Sequence, residues 1–196
     1  MAENKPRSSN GIPNDEALEE LFASANSALN SGQTPKAKAL YQQIIGLRPN
    51  SADALHLLGL CHYKDKEWNL AVNVLKQSLK LSPDNAIAQN TLGATFCNLN
   101  RFNEAEVCLR KAIALKPDHV EAYRNLGLIC MARQQFSDAV SYFQTALEHN
   151  PSHFEILKAA GNAFLHLEKP EDALVFFDKA LSINPRDASF QSDTGI

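Results

Sequence analysis

The chain has 196 residues, 44% hydrophobic and 21% charged, with a formal net charge of −3. This is the balance of an ordinary soluble protein, without the basic excess that nonspecific nucleic-acid binding requires. No apolar run approaches the roughly 20 residues of a membrane span, and residues 1–13 hold no apolar core for a secretory signal; a cytoplasmic protein is expected, with neither membrane nor nucleic acid as partner.

Residues 1–14 are rich in Ser, Asn, Pro and Gly and have no periodicity, so they are expected to form a disordered tail. The first helix should start at Asn14 or Asp15, either of which can cap it. Asp15, Glu16, Glu19 and Glu20 then suit the positive end of its dipole. From Leu18 onward the same landmarks return every 34 residues, dividing residues 15–187 into a tail-proximal start and five units: 18–51, 52–85, 86–119, 120–153 and 154–187. Self-similarity at this period marks a solenoid, each unit being one helix–turn–helix that buries its face on its neighbours.

Within each unit, helix A carries an apolar stripe at positions 4, 7 and 11, such as Tyr123, Leu126 and Cys130, or Leu55, Leu58 and His62. Position 8 is Gly59, Gly93, Gly127 or Gly161. A mid-helix glycine costs about 1 kcal/mol against alanine, so four at one phase need a common reason. Close approach of helix B supplies it, with the alanines at position 20 (Ala37, Ala71, Ala105, Ala139, Ala173) expected on the other side. Helix B adds larger residues at positions 24 and 28, such as Phe143 and Leu147. Position 27 is small in Ser78, Ala112, Ala146 and Ala180, where the next helix A is expected to pack. Proline at position 32 ends every helix B. Ser51, Asn85 and Asp187 can cap the helix that follows, and His119 and His153 cap less well. Pro35 and Pro170 sit in the first turn of a helix B, where proline is tolerated. The pattern predicts ten helices. Residues 188–196, with Thr194-Gly195 at positions 7 and 8, are expected to begin a sixth repeat or to form a capping stub.

Cys61, Cys97, Cys108 and Cys130 form no Cys-x-x-Cys pair and all fall inside predicted helices, so they read as buried or half-buried thiols rather than as a disulfide or metal framework. His56, Cys61 and His62 spread over different helix faces, and Pro151 separates His149 from His153, so neither group has metal-ligand spacing. There is no supported Ser/His/Asp arrangement, phosphate-binding glycine loop or pair of catalytic carboxylates. No cofactor and no catalysis are expected.

Leu92-Gly93, Phe96, Phe102, Ala105, Ala112 and Pro117, and again Leu126-Gly127, Phe136, Ala139, Phe143, Ala146 and Pro151, carry a resemblance to the tetratricopeptide repeat (TPR) family. The resemblance covers residues 18–187, and departs most in the first unit, where Ser24 and Ala25 replace Leu-Gly. It implies an all-α, right-handed superhelical solenoid whose concave groove, lined by the A helices, binds a peptide or a segment of a partner protein. Groove positions in the family are 2, 5, 6, 9, 12 and 13 of helix A. Carried onto this chain they give His56, Leu60, Asn90, Arg124, Asn125, Leu128, Lys158 and Asn162 as candidate binding residues.

Position 5 runs Phe22, His56, Asn90, Arg124, Lys158, becoming basic toward the C-terminus, which suits an acidic ligand. The competing reading is that Glu121–Arg124 and Glu155–Lys158 are i,i+3 ion pairs on a solvated face. Asn125 resembles the backbone-binding asparagines of O-GlcNAc transferase TPR domains, but Leu57, Thr91 and Ala159 interrupt that ladder. The carboxylate clamp of TPR co-chaperones is not met either, since the best phase supplies His56, Leu60, Thr91, Glu121 and Asn125. The expected function is a noncatalytic protein-interaction scaffold. The alternative is a substrate-recruiting segment of a larger glycosyltransferase or methyltransferase whose catalytic domain lies beyond residue 196.

Overall fold

A computed structural model describes residues 15–185 of the chain. Among the described residues there are ten α-helices and no strand. They are α1 (Asp15–Asn30), α2 (Thr34–Leu47), α3 (Ala52–Lys64), α4 (Trp68–Leu81), α5 (Ala86–Asn98), α6 (Phe102–Leu115), α7 (Val120–Ala132), α8 (Phe136–His149), α9 (Phe154–His166) and α10 (Pro170–Ile183). The expected tail 1–14, the cap Asp187 and the stub 188–196 lie outside the described residues. By internal contacts the chain divides into two compact units, one ending at Asn100 and the other starting at Arg101.

Every A-to-B turn is built the same way. Position 15 takes a left-handed backbone, with φ of 71° at Gly32, 61° at Lys66, 57° at Asn100, 59° at Gln134 and 57° at Glu168. The following amide closes the helix end: Gln135 N–H donates to the Cys130 carbonyl at 2.8 Å, and Glu67 N–H to the His62 carbonyl at 2.9 Å. Only glycine adopts this conformation without steric cost, and the other residues accept about 1 kcal/mol.

In the first unit, α1 to α5, the core gathers Leu18, Ala25, Leu29, Ala37, Tyr41, Ile44, Ala54, Leu58 and Cys61. The Tyr41 ring is fully buried and its hydroxyl donates to Asn26 Oδ1 at 2.6 Å. Asn26 is therefore a partner of the core tyrosine. Burial pushes the Tyr41 phenol up to about 12. Around the α3–α4 turn, Lys38 Nζ reaches Asp65 at 2.6 Å and Glu67 at 2.9 Å, and His62 Nδ1 lies 2.5 Å from the same Glu67 carboxylate.

In the second unit, α6 to α10, Cys130, Ala139, Val140, Phe143, Ala146, Ile156, Ala160 and Phe164 form the core. Gly59, Gly127 and Gly161 do sit at a close helix approach, but the nearest facing residue is at position 24, not the position-20 alanine. A β-carbon at Gly59 would lie 2.6 Å from Cγ of Leu75, one at Gly127 2.7 Å from Cδ1 of Phe143, and one at Gly161 2.7 Å from Cδ1 of Phe177. Long side chains in a helix lean toward its N-terminus, so Phe143, one turn past Ala139, covers the glycine. Position 27 also meets its own helix pair: Ser78 Oγ donates to the Ala52 carbonyl of α3 at 2.8 Å.

Capping follows the residue at position 34. Ser51 Oγ accepts from Ala54 N–H at 3.3 Å and Asn85 Oδ1 from Ala88 N–H at 2.9 Å, whereas His119 and His153 make no side-chain cap bond. The last described helix, α10, keeps an apolar stripe open: Leu174 is 57% exposed, against 5% and 8% for Val72 and Val140 at the same position of α4 and α8.

Candidate peptide-binding faces

The candidate residues lie on the A helices of both units, and each unit presents its own face. In the first unit, α3 and α5 touch directly. His56 is buried there, with Nε2 3.5 Å from Thr91 Oγ1. The Thr91 hydroxyl donates to the Ile87 carbonyl at 2.9 Å, so its oxygen is left to accept from His56 Nε2–H. Burial lowers the His56 pKa and keeps the ring neutral. His56 thus joins two helices rather than presenting a charge, and Leu60 and Asn90 beside it are half-buried.

In the second unit, α7 and α9 touch directly. Positions 5, 9 and 12 form one stripe on each helix, because residues at i, i+4 and i+7 share a face. On α7 the stripe reads Arg124, Leu128, Met131; on α9 it reads Lys158, Asn162, Leu165. The rows across the two helices are therefore basic, then mixed, then apolar. Leu128 is 37% exposed and Leu165 43%, and Asn162 is exposed, while Asn125 is buried.

The charges on this face are held from below. Arg124 Nη1 lies 3.7 Å from Glu121 Oε2, a loose pair, and Glu121 Oε1 sits 2.9 Å from His153 Nε2. Lys158 Nζ stands over the Phe154 ring, 5.2 Å from its centroid, a cation–π contact. Of the eight sequence-predicted residues, Arg124, Leu128, Lys158 and Asn162 thus come together on one face, with Leu128 and Asn162 exposed and the two cations half-buried. His56, Leu60 and Asn90 lie on the other unit, His56 buried and the other two half-buried, and Asn125 is buried. Leu165 was missed as a candidate, although its place at position 12 was readable from the repeat. The Phe154 platform and the Glu121–His153 contact carry no sequence signal of their own.

A second concavity, about 420 Å³, lies among α6, α7 and α8. Its cations are already engaged: Arg110 Nη2 and Arg133 Nη1 reach the two oxygens of Glu106 at 2.8 and 2.9 Å, and Arg133 Nη2 donates to Asn103 Oδ1 at 2.7 Å. Among the described residues no group of three or more His, Cys, Asp or Glu side chains could hold a metal ion, and no helix is long and apolar enough to cross a membrane. Cys61 and Cys130 are buried thiols, and burial pushes the Cys61 thiol up to about 11.

Comparison with known proteins bears on the whole repeat array. Among solved structures, a MamA protein is 22% identical with a TM-score of 0.71, covering 90% of this chain and 96% of that one. The PilF protein of Pseudomonas aeruginosa is 23% identical with a TM-score of 0.79, covering 86% and 77%. YrrB, described as a TPR protein with an unusual peptide-binding site, is 23% identical with a TM-score of 0.66, covering 88% and 92%. At these identities the likeness speaks for the fold. No curated protein matches the chain. Residues 9–193 match the family model described as the cilia and flagella-associated protein 70 C-terminal domain. With its 34-residue helix pairs, position-8 glycines and position-32 prolines, the chain is an all-α TPR solenoid and belongs to the family of the cilia and flagella-associated protein 70 C-terminal domain.

Proposed function

We propose that the protein is a noncatalytic interaction scaffold, and that the α7/α9 face of its second unit takes an acidic segment of a partner protein. The observation that carries this reading is the stripe pair itself: two half-buried cations, an exposed amide and two exposed leucines on adjacent helices. The described peptide-binding site of YrrB belongs to that protein, and supports only the general use of this fold. Because the matching family is named for a cilia- and flagella-associated protein, we place the partner among proteins of such an assembly. Cys61 and Cys130, buried thiols in the helix cores, suit a reducing, cytoplasmic setting.

The cations act by steering and orientation, and salt screens them beyond roughly 10 Å at 0.1 M. Reversing both, as Arg124→Glu with Lys158→Glu, should abolish capture of acidic peptides from an array and remove the salt dependence of what remains. Circular dichroism should be unchanged, because exposed pairs contribute only about 0–1 kcal/mol. Equal capture by wild type and double variant would make these residues a solvated, self-paired helix face and end this reading.

A further inference from the structure

We propose that the segment received by the α7/α9 face is extended, with single acidic residues alternating with apolar ones. This rests on the reading of that face as the binding surface, and adds the pattern that the partner must carry.

The pattern follows from the order of the rows. Moving along α7 or α9 the face changes from acidic at position 2 (Glu121, Glu155), to basic at position 5 (Arg124, Lys158), to apolar at position 12 (Met131, Leu165). At 1.5 Å per residue, positions 5 and 12 are about 10 Å apart along the axis. A chain laid across the two helices over position 9 therefore has cations on one flank and apolar side chains on the other. An extended chain sends successive side chains to opposite flanks. Acidic residues of one parity reach Arg124 and Lys158, and apolar residues of the other parity cover Met131 and Leu165, while the backbone passes over Leu128 and Asn162.

Two neighbours exclude the simpler ligands. A run of consecutive acids would set every second carboxylate against exposed leucine, where an unpaired charge loses its water. It would also crowd Glu121 and Glu155, which border the basic row and repel further negative charge. A helical partner would leave the exposed Asn162 amide unused. That amide offers a donor and an acceptor in the middle row, and only an extended backbone has free N–H and C=O groups to meet it.

The test compares two labelled synthetic peptides of one composition, Asp-Leu-Asp-Leu-Asp-Leu and Asp-Asp-Asp-Leu-Leu-Leu, by fluorescence anisotropy with the full chain. The alternating peptide should bind about tenfold more tightly, a difference of 1.4 kcal/mol. The advantage should vanish in the Met131→Asn, Leu165→Asn variant, and binding should weaken severalfold in Asn162→Ala, with circular dichroism confirming each fold. Equal affinity for the two orders, lost in the Arg124→Glu, Lys158→Glu variant, would overturn the alternation and leave the face as the binding surface. Failure of both peptides to bind, or binding indifferent to that charge reversal, would overturn the face and the alternation together.

Discussion

Gly127 sits on α7 where the ring of Phe143 presses on its backbone, and Phe143 is itself fully buried. The ring cannot retreat without disturbing the Val140, Ala146 and Ile156 packing around it. Gly127→Leu should therefore destabilise by about 1–3 kcal/mol through overpacking, read as a lower midpoint in urea. An unchanged midpoint would show that the ring is free to move. The need for a glycine here was legible in the recurrence at position 8; its partner was not, because a side chain's lean decides which residue of α8 covers it. Likewise no sequence rule marks Lys66, Gln134 and Glu168 as left-handed, since a cost of about 1 kcal/mol is small enough for many residue types to bear. The Tyr41–Asn26 bond has no sequence signal either, because repeat phase alone does not say where a buried hydroxyl ends.

Between elements, the repeat junctions explain which caps form. Ser51 and Asn85 turn their oxygens back to the helix they begin, while His153 commits Nε2 to Glu121 of the preceding helix A and leaves α9 without a side-chain cap. The sequence distinguished these residues correctly by type, but the destination of the imidazole depended on a contact 32 residues away. A second junction joins α6 to the end of α7 through Glu106, held by hydrogen bonds from Arg110 and Arg133. Those guanidinium groups keep the Glu106 carboxyl below its ordinary 4.5 in the folded state. A depressed folded value means stability that is present above the unfolded value and lost as pH falls through the folded one. Acidification from about pH 5 to pH 3, spanning the ordinary glutamate range, should lower the Tm of wild type more steeply than that of Glu106→Gln. Near neutral pH the variant should melt about 1–2 °C lower, a small loss because the pair is partly solvated. Parallel Tm profiles would mean that the α6–α7 junction does not draw on this carboxylate.

At the scale of the molecule, the helix count, the turn phase and the family were written in the 34-residue recurrence, and the ligand was not. The basic step at Arg124 and Lys158 could be read along position 5, yet the same ladder gave His56, which burial against Thr91 removes from any ligand role of a charged group. What separates the two cases is burial: His56 is 7% exposed, whereas Arg124 and Lys158 are only half-buried. The central claim is that a partner segment lies on the open face of α7 and α9. Methyl NMR of the leucine-labelled chain during titration with the alternating acidic peptide tests it most directly. The account predicts saturable shifts at Leu128 and Leu165, with the fully buried Leu75 and Leu109 unmoved. Binding that leaves Leu128 and Leu165 unmoved, and shifts methyls elsewhere, such as Leu147 in the cleft beside Phe176, would contradict it.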